Sequence, residues 1–217
     1  MGGMRLTKYG HACVRIETGG TTVVVDPGGW TEPDAVAGAD VVLVTHEHPD
    51  HLDPENLRAA KAPIHTIGAV SRTIAAQAPD LTDRVTVVAP GERLDVGVPV
   101  TVVGERHAVI HPELPRIDNS GYLLEVDGRR IYHPGDALTV PGTGVDVLLV
   151  PVHAPWSKIS EVIDFARAVG APLSLAIHDG LLNERGLGLV QRLLGGTLGE
   201  RELEYVRVEP GSDVPLG

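Results

Sequence analysis

Hydrophobic and polar positions follow a recognisable pattern along the chain. Residues 41–44, 145–152 and 173–177 are apolar runs dominated by Val, Leu and Ile. Such runs are typical of strands that are covered on both faces. These three segments are therefore predicted to lie in the interior of the fold.

The chain opens with three shorter strands, predicted at residues 5–9, 13–17 and 21–26. Gly19-Gly20 separates the last two strands and is a strong hairpin turn pair. The first part of the chain is therefore predicted to form an antiparallel meander.

Helical and strand patterns alternate through the rest of the chain. Asp53 and Pro54 offer an N-cap and a first-turn proline to a helix that ends near Ala60. Residues 157–169 place apolar side chains at helical spacing. Further helices are predicted at 32–38, 70–77 and 188–194, and further strands at 64–67, 85–89, 93–96, 100–103, 121–126, 129–132 and 204–208. Two runs of strands, each followed by helices, predict an α/β fold in which two sheets pack face to face with helices outside.

Composition limits the architecture and the compartment. A chain of 217 residues that is 42% hydrophobic suits a single domain, residues 1–217, with a substantial core. Cys13 is the only cysteine and can form no internal disulfide, which fits the reducing cytoplasm. No apolar run approaches the roughly 20 residues that cross a bilayer, so no membrane association is expected.

The formal net charge of -11 bears on possible partners. Non-specific binding to nucleic acid depends on Lys and Arg side chains that neutralise phosphates, so an acidic chain is not expected to bind it. A small-molecule substrate is expected instead. The sequence leaves self-association into a homo-oligomer open.

The densest chemistry lies directly after the apolar run 41–44, in Thr45-His46-Glu47-His48-Pro49-Asp50-His51. Residues two apart on extended chain point the same way, so the first two histidines can converge on one cation. Asp50 and His51 would turn with the chain toward another cation. The spacing is not the His-Glu-x-x-His of helical zinc proteases. A polar loop with three incidental histidines is the alternative.

This cluster resembles the metal motif of the metallo-β-lactamase-fold hydrolases, in which His-x-His-x-Asp-His follows a hydrophobic strand. Members of that family carry further ligands downstream: a lone His after a strand, an Asp after a Gly and a final His near the C-terminus. His107, Asp136 and His178 stand at those places in order. The resemblance spans Met4 to about Glu209 and implies a four-layer αββα sandwich with metals at one edge.

The resemblance implies seven metal ligands and two divalent ions, zinc first and manganese second. The ligands of one ion are His46, His48 and His107, those of the other are Asp50, His51 and His178, and Asp136 bridges the two. A hydroxide between the ions would be the nucleophile, because metal binding lowers the pKa of water from about 15.7 toward roughly 7. Asp50 is expected to hydrogen-bond the hydroxide and to pass a proton to the leaving group.

Other polar residues are candidates for supporting roles. His153 follows the run 145–152 and is expected to protonate a leaving group or hold an oxyanion, with a hydrogen bond behind a ligand as the alternative. Three residues that follow His107 are expected to line the substrate mouth, with a solvated loop as the alternative: His111, Arg116 and Asn119. Three more are expected to hydrogen-bond the ligands from behind, with a plain structural role as the alternative for the two histidines: His11, Asp26 and His133.

Four short segments are similar to the branch that includes the ascorbate-6-phosphate lactonases: Gly10-His11, Asp26-Pro27, Asn119-Ser120-Gly121-Tyr122 and Tyr132-His133-Pro134-Gly135-Asp136. Members of this fold cleave lactones, phosphodiesters, thioesters and β-lactams with the same ligands, so the loops choose the substrate. The leading hypothesis is a dinuclear hydrolase of a lactone, ester or phosphodiester. A mononuclear iron dioxygenase and a non-catalytic metal-stabilised scaffold are the alternatives.

Overall fold

The computed structural model describes residues 3–216, so residues 1, 2 and 217 of the predicted domain lie outside the described part. Its strands form two seven-stranded sheets. In chain order they are β1 (Arg5–Lys8), β2 (Val14–Thr18), β3 (Thr21–Val25), β4 (Val41–Val44), β5 (Ile64–Thr66), β6 (Val85–Val87), β7 (Arg93–Asp95), β8 (Pro99–Val103), β9 (Gly121–Val126), β10 (Arg129–His133), β11 (Val147–Pro151), β12 (Leu173–Ile177), β13 (Glu204–Val206) and β14 (Ser212–Asp213).

Each sheet is antiparallel on one side and parallel on the other. The first has the order β14-β1-β2-β3-β4-β5-β6, and the parallel pairing begins between β3 and β4. The second has the order β13-β12-β11-β10-β9-β8-β7, and its parallel strands are β10 to β13. Gly19 and Gly20, with φ of 54° and 93°, form the predicted hairpin turn between β2 and β3.

The helices are α1 (Pro54–Ala60), α2 (Gly68–Gln77), α3 (Ile159–Val169), α4 (Glu184–Val190) and α5 (Gly196–Gly199), with a π-helical segment (Gln191–Gly195) between the last two and 3-10 helices at Pro33–Val36 and Pro79–Arg84. The Asp53 carboxylate caps α1 by accepting a hydrogen bond from the Glu55 amide, as the sequence predicted. Among the described residues, none of these helices combines the length and the apolar character that crossing a membrane requires.

Three clusters of buried apolar side chains define the layers. One draws on both sheets, including Leu43 and Leu149, and fills the space between them. The other two lie on the outer faces, where Val42 packs with α1 and α2 and Leu148 packs with α3 and the C-terminal helices. The strands β4 and β11 are therefore covered on both faces, and the predicted αββα sandwich is confirmed.

The observed boundaries differ from the predicted ones mainly near the C-terminus. The helix predicted at 188–194 begins at Glu184, because the Asn183 side chain caps it by accepting from the Gly186 amide. The strand β14, which pairs with β1, was not predicted. A segment of two residues is too short to show the alternation that predicts a strand. β14 forms because β1, at the opposite end of the chain, pairs with it.

The site is positioned by the carboxyl ends of the parallel strands. His46 follows β4, Asp136 follows β10 and His178 follows β12. Loops at these ends of α/β sheets converge on one crevice. The architecture therefore brings residues from four distant parts of the sequence to one edge, since the loop after β8 adds His107.

Candidate metal centre

Eight side chains form two adjoining groups in which the ligand-capable atoms lie within 4.8 Å of one another. The first group is His46, His48, His107 and Asp136, and the second group is His11, Asp50, His51 and His178. Asp136 also reaches the second group, because its Oδ1 lies 3.1 Å from His51 Nε2 and its Oδ2 lies 3.2 Å from His178 Nε2. All seven residues expected as ligands are therefore brought together, and His11 joins them.

The loop after β4 turns back on itself to present both groups. The amide nitrogens of His51 and Leu52 donate to the His48 carbonyl, which closes a tight turn. Helix α1 follows at once and is held to the Pro27-Gly28 turn, since the Asn56 side chain donates to the Gly28 carbonyl at 2.9 Å. The helix start therefore braces the loop.

The loop after β4 passes so close to Gly28 that a side chain at this position would collide with its backbone. A Cβ at this position would lie 2.0 Å from the carbonyl carbon and oxygen of Asp50, far inside van der Waals contact. We expect Gly28→Ala to displace Asp50 and His51, to lower stability by about 2 kcal/mol and to reduce bound zinc, as measured by elemental analysis and urea denaturation. Gly142→Ala is the matched control, because no atom lies within 4 Å of a Cβ there. Equal zinc content in both variants would contradict the prediction.

Asp26 holds the loop from beneath. Its Oδ1 accepts from the Thr45 amide at 2.8 Å, and its Oδ2 accepts from the Thr45 hydroxyl at 2.6 Å and from His51 Nδ1 at 2.7 Å. The Thr45 hydroxyl in turn accepts from His46 Nδ1 at 3.0 Å. One buried carboxylate thus orients a histidine of each group, as expected for Asp26.

Two further histidines are oriented by backbone carbonyls. His107 Nδ1 donates to the Ala108 carbonyl and His178 Nδ1 donates to the His153 carbonyl, each at 2.6 Å. A proton fixed on Nδ1 leaves the Nε2 lone pair to bind a metal, which is the common arrangement around metal-ligating histidines. His46, His51, His107 and His178 therefore all aim Nε2 into the same space.

The buried atoms that face this space make no well-directed hydrogen bond among the described residues, although His51 Nε2 and Asp136 Oδ1 lie 3.1 Å apart. They are His51 Nε2, His107 Nε2, His178 Nε2 and Asp136 Oδ1. Buried polar atoms are rarely left unpaired because desolvation costs about 1–3 kcal/mol each. A cation within the cluster would satisfy all four, and imidazole with carboxylate suits zinc, manganese and iron. The donor set therefore fits a metal site.

Burial and the neighbouring carboxylates shift the pKa values of the clustered histidines in opposite directions. Burial lowers the pKa of His46 well below its usual value, so this imidazole is neutral. Burial also opposes charge on His51, but the carboxylates of Asp136 and Asp26 outweigh it and raise the pKa of His51 well above its usual value. Against burial, Asp136 and Asp50 raise the pKa of His178 to about 9. Without metal, protons on these two rings balance the carboxylates.

Metal loading at pH 7 is therefore expected to release about two protons per chain, because His51 and His178 must each surrender a proton to a metal ion. Zinc affinity should fall as the pH falls, since protons then compete better. Calorimetric titration with zinc in two buffers of different ionisation enthalpy measures the number of protons released per chain. His178→Gln should release about one proton fewer, and binding heats that do not depend on the buffer would contradict the assignment.

Asn119 and Trp156 position Asp136. The Asn119 side chain is buried, accepts from the Asp136 amide at 3.0 Å and donates to the Pro134 carbonyl at 2.9 Å. The expectation that Asn119 lines the substrate mouth is therefore corrected, because both ends of its amide are engaged beneath the cluster. Trp156 Nε1 donates to Asp136 Oδ2 at 2.9 Å. Sequence reasoning missed this tryptophan, whose only signal was its place just after the β11 strand end.

His11 is held on three sides. Its Nδ1 accepts from the Gly180 amide at 3.2 Å, so in its neutral form the proton lies on Nε2, which donates to Asp50 Oδ2 at 3.1 Å. Its carbonyl accepts from the His178 amide at 2.9 Å. Burial lowers the pKa of His11, which favours this neutral form. The expected place of His11 behind a ligand agrees with these contacts.

The remaining predicted residues lie farther from the cluster. His153 offers its backbone carbonyl to His178, while its side chain is exposed. His111 is exposed in the loop after His107, and its Nδ1 accepts from the Glu113 amide. His133 is buried and donates through Nε2 to the Ala12 carbonyl at 2.8 Å. Arg116 is exposed, and its Nε donates to the His107 carbonyl at 2.6 Å.

A cleft of about 280 Å³ opens onto the cluster. His48, Asp50, Asp136 and His178 form its floor, and its walls are largely apolar: Trp30, Ile110, Pro155, Trp156 and Leu181. The volume is at the lower end of the range for ligand pockets, so it suits a small molecule.

Comparison with known proteins agrees with this geometry. The sequence matches the β-lactamase superfamily domain over residues 5–178. Protein Rv0786c of Mycobacterium tuberculosis is 38% identical over 192 residues, which cover 86% of this chain and 89% of that protein. A UPF0173 metal-dependent hydrolase of Methanosphaerula palustris is 30% identical over 192 residues, or 81% of this chain and 83% of that protein. The solved structure of Igni18, a metallo hydrolase of the archaeon Ignicoccus hospitalis, has a TM-score of 0.74 at 18% identity and covers 97% of both chains, which shows a shared fold. This chain belongs to the β-lactamase superfamily domain family.

Proposed function

We propose that the protein is a hydrolase that uses two divalent metal ions, zinc first and manganese second, to cleave a lactone, ester or phosphodiester bond of a small molecule. The observation that carries the proposal is the set of unpartnered buried atoms, three imidazole nitrogens and one carboxylate oxygen, that face one another beneath an open cleft. The name of a relative supports it, since the Methanosphaerula palustris protein is named a UPF0173 metal-dependent hydrolase.

In this proposal the first group would hold one ion and Asp50, His51 and His178 would hold the other, with Asp136 within reach of both groups. When bound, such a pair of ions makes hydroxide available at neutral pH and polarises the substrate oxygen. Structural zinc sites are closed by four protein ligands, whereas this cluster lies at the floor of a cleft. The open cleft therefore favours an enzyme over a metal-stabilised scaffold.

Asp50 is proposed to transfer a proton from the attacking water to the leaving group. Its side chain is 18% exposed at the cleft floor, and its Oδ2 is held by His11 Nε2–H. A carboxylate in this place can hydrogen-bond the attacking water and then pass a proton to the leaving group. His11 is proposed as a positioning residue that keeps Asp50 turned toward the cleft.

The partners and the compartment are part of the proposal. A small, largely apolar cleft and a net charge of -11 support a small-molecule substrate rather than nucleic acid. A cytoplasmic location is supported by the single buried cysteine. The lactonase-like branch stays a prediction.

Metal content and turnover test the function together. Protein purified without chelators should contain about two zinc or manganese ions per chain and should hydrolyse at least one member of a panel of lactones, esters and bis-p-nitrophenyl phosphate. Chelation should abolish turnover and zinc should restore it. About one iron per chain, with visible absorption and no hydrolysis, would favour the dioxygenase alternative. Full zinc occupancy without turnover, with Asp50→Ala changing stability alone, would favour the scaffold.

A further inference from the structure

A second cavity of about 540 Å³ adjoins the metal cleft. The two share the side chains of Ile110, Pro155 and Trp156, so one molecule can extend from the cleft into the cavity. None of the seven expected metal ligands lines this cavity. It is large enough for the remainder of a substrate whose reacting bond lies over the metals.

The lining of this cavity is cationic, although the protein is acidic. Arg106, Arg116 and Lys158 line it, against the single acidic residue Glu161. The whole chain has 18 basic and 29 acidic residues. An excess of positive charge concentrated in one concave site attracts anions.

Arg116 has the most freedom to bind an anion. Within residues 3–216 the only hydrogen bond of its side chain runs from Nε to the His107 carbonyl, so both terminal nitrogens are unengaged. Arg106 is partly neutralised by Asp118 at 3.2 Å, and Lys158 pairs with Glu161 at 3.4 Å on the surface. A planar guanidinium with two free nitrogens matches a carboxylate or phosphate in a bidentate way.

We infer that this cavity is a subsite for an anionic group of the substrate, with Arg116 as the principal contact and Lys158 as the second. The substrate class is then a small molecule with a hydrolysable bond, an apolar middle against Trp156 and Ile110, and a carboxylate or phosphate at the far end. As far as catalysis is concerned, this inference rests on the proposed function. The hydrogen bond from Arg116 Nε to the His107 carbonyl places this anion contact next to a residue of the first group.

Binding tests the subsite without requiring turnover. Benzenesulfonate is a suitable probe, because sulfonate is a poor metal ligand and the ring fits the apolar wall; methyl phenyl sulfone is its uncharged counterpart. Zinc-loaded protein, titrated with each probe by calorimetry, should bind the sulfonate about tenfold more tightly, and Arg116→Gln should remove most of the difference. Lys158→Gln should weaken sulfonate binding to a lesser extent. Arg192→Gln is the control, since this exposed arginine lines neither cavity. Equal affinities for the two probes, or no effect of Arg116→Gln, would overturn the inference.

Turnover then separates the subsite from the proposed function. N-succinyl homoserine lactone carries a terminal carboxylate that its methyl ester lacks, and opening of the lactone ring is followed separately from cleavage of the methyl ester. The wild type should open the charged lactone with about tenfold higher kcat/KM than the methyl ester, and Arg116→Gln should bring that ratio close to one. Turnover of both lactones at equal rates in every variant would overturn the subsite and leave the hydrolase intact. Binding of the sulfonate without turnover of either lactone would leave the subsite standing and count against the proposed hydrolase.

Discussion

Replacing Asp136 with alanine is expected to lower hydrolysis by about a thousandfold or more and to reduce bound metal from about two ions per chain to one or none. The carboxylate lies within 3.4 Å of Nε2 of His51, His107 and His178. These contacts outweigh the effect of burial and hold its pKa well below the usual range, so it is an anion at every working pH. Removing it takes away the group that joins both halves of the site.

The measurement combines elemental analysis with kcat/KM on whichever substrate the wild type turns over. Asp164→Ala is the control, because Asp164 is an exposed carboxylate on α3 outside both groups. Circular dichroism shows whether Asp136→Ala still folds, and Asp136→Asn keeps the shape if it does not. Two bound ions and full activity in Asp136→Ala would contradict the bridging role.

Replacing Lys8 with methionine is expected to destabilise the protein by about 3–5 kcal/mol. Lys8 Nζ lies 2.6 Å from Asp179 Oδ1, and both side chains are buried, with 1% and 4% of their surface exposed. Methionine fills a similar volume but leaves Arg207, at 3.0 Å, as the one cationic partner of the Asp179 carboxylate among residues 3–216. A buried carboxylate that loses a partner is costly because its desolvation is no longer offset. For a domain of this size the melting temperature should fall by roughly 10 °C.

Asp179 directly follows His178, which has a φ of 57° in the left-handed region. Loss of the Lys8 contact should therefore also weaken metal binding to the second group. Urea denaturation with the metal state held constant measures the stability change. Arg5→Met on the same strand is the matched control, because the Arg5–Glu17 pair is exposed and should matter little. The double variant Lys8→Met/Asp179→Asn should recover part of the loss, and a single variant as stable as the control would contradict the prediction.

The tertiary contacts also explain one sequence expectation that needs revision. Asn119 was expected at the substrate mouth because it follows the loop after His107, but its amide is committed to Pro134 and Asp136. The role expected for the His153 imidazole stays a prediction, while its backbone carbonyl accepts from His178. A polar residue near a motif carries no signal that distinguishes a side chain facing substrate from one that braces a neighbouring loop.

Sequence alone determined the layers of the fold and indicated the residues that gather at the candidate metal centre. Continuous apolar runs require burial on both faces, and a cluster such as His46 to His51 after such a run has few uses other than metal binding. Tertiary structure alone decided which contacts serve the ligands: the Lys8–Asp179 pair, the Trp156 bond to Asp136, the place of His11 beside Asp50 and the cationic cavity around Arg116. These contacts join residues separated by up to 171 positions in the chain. Local patterns report which face of an element is buried, whereas the partner across the fold depends on how the two sheets are packed.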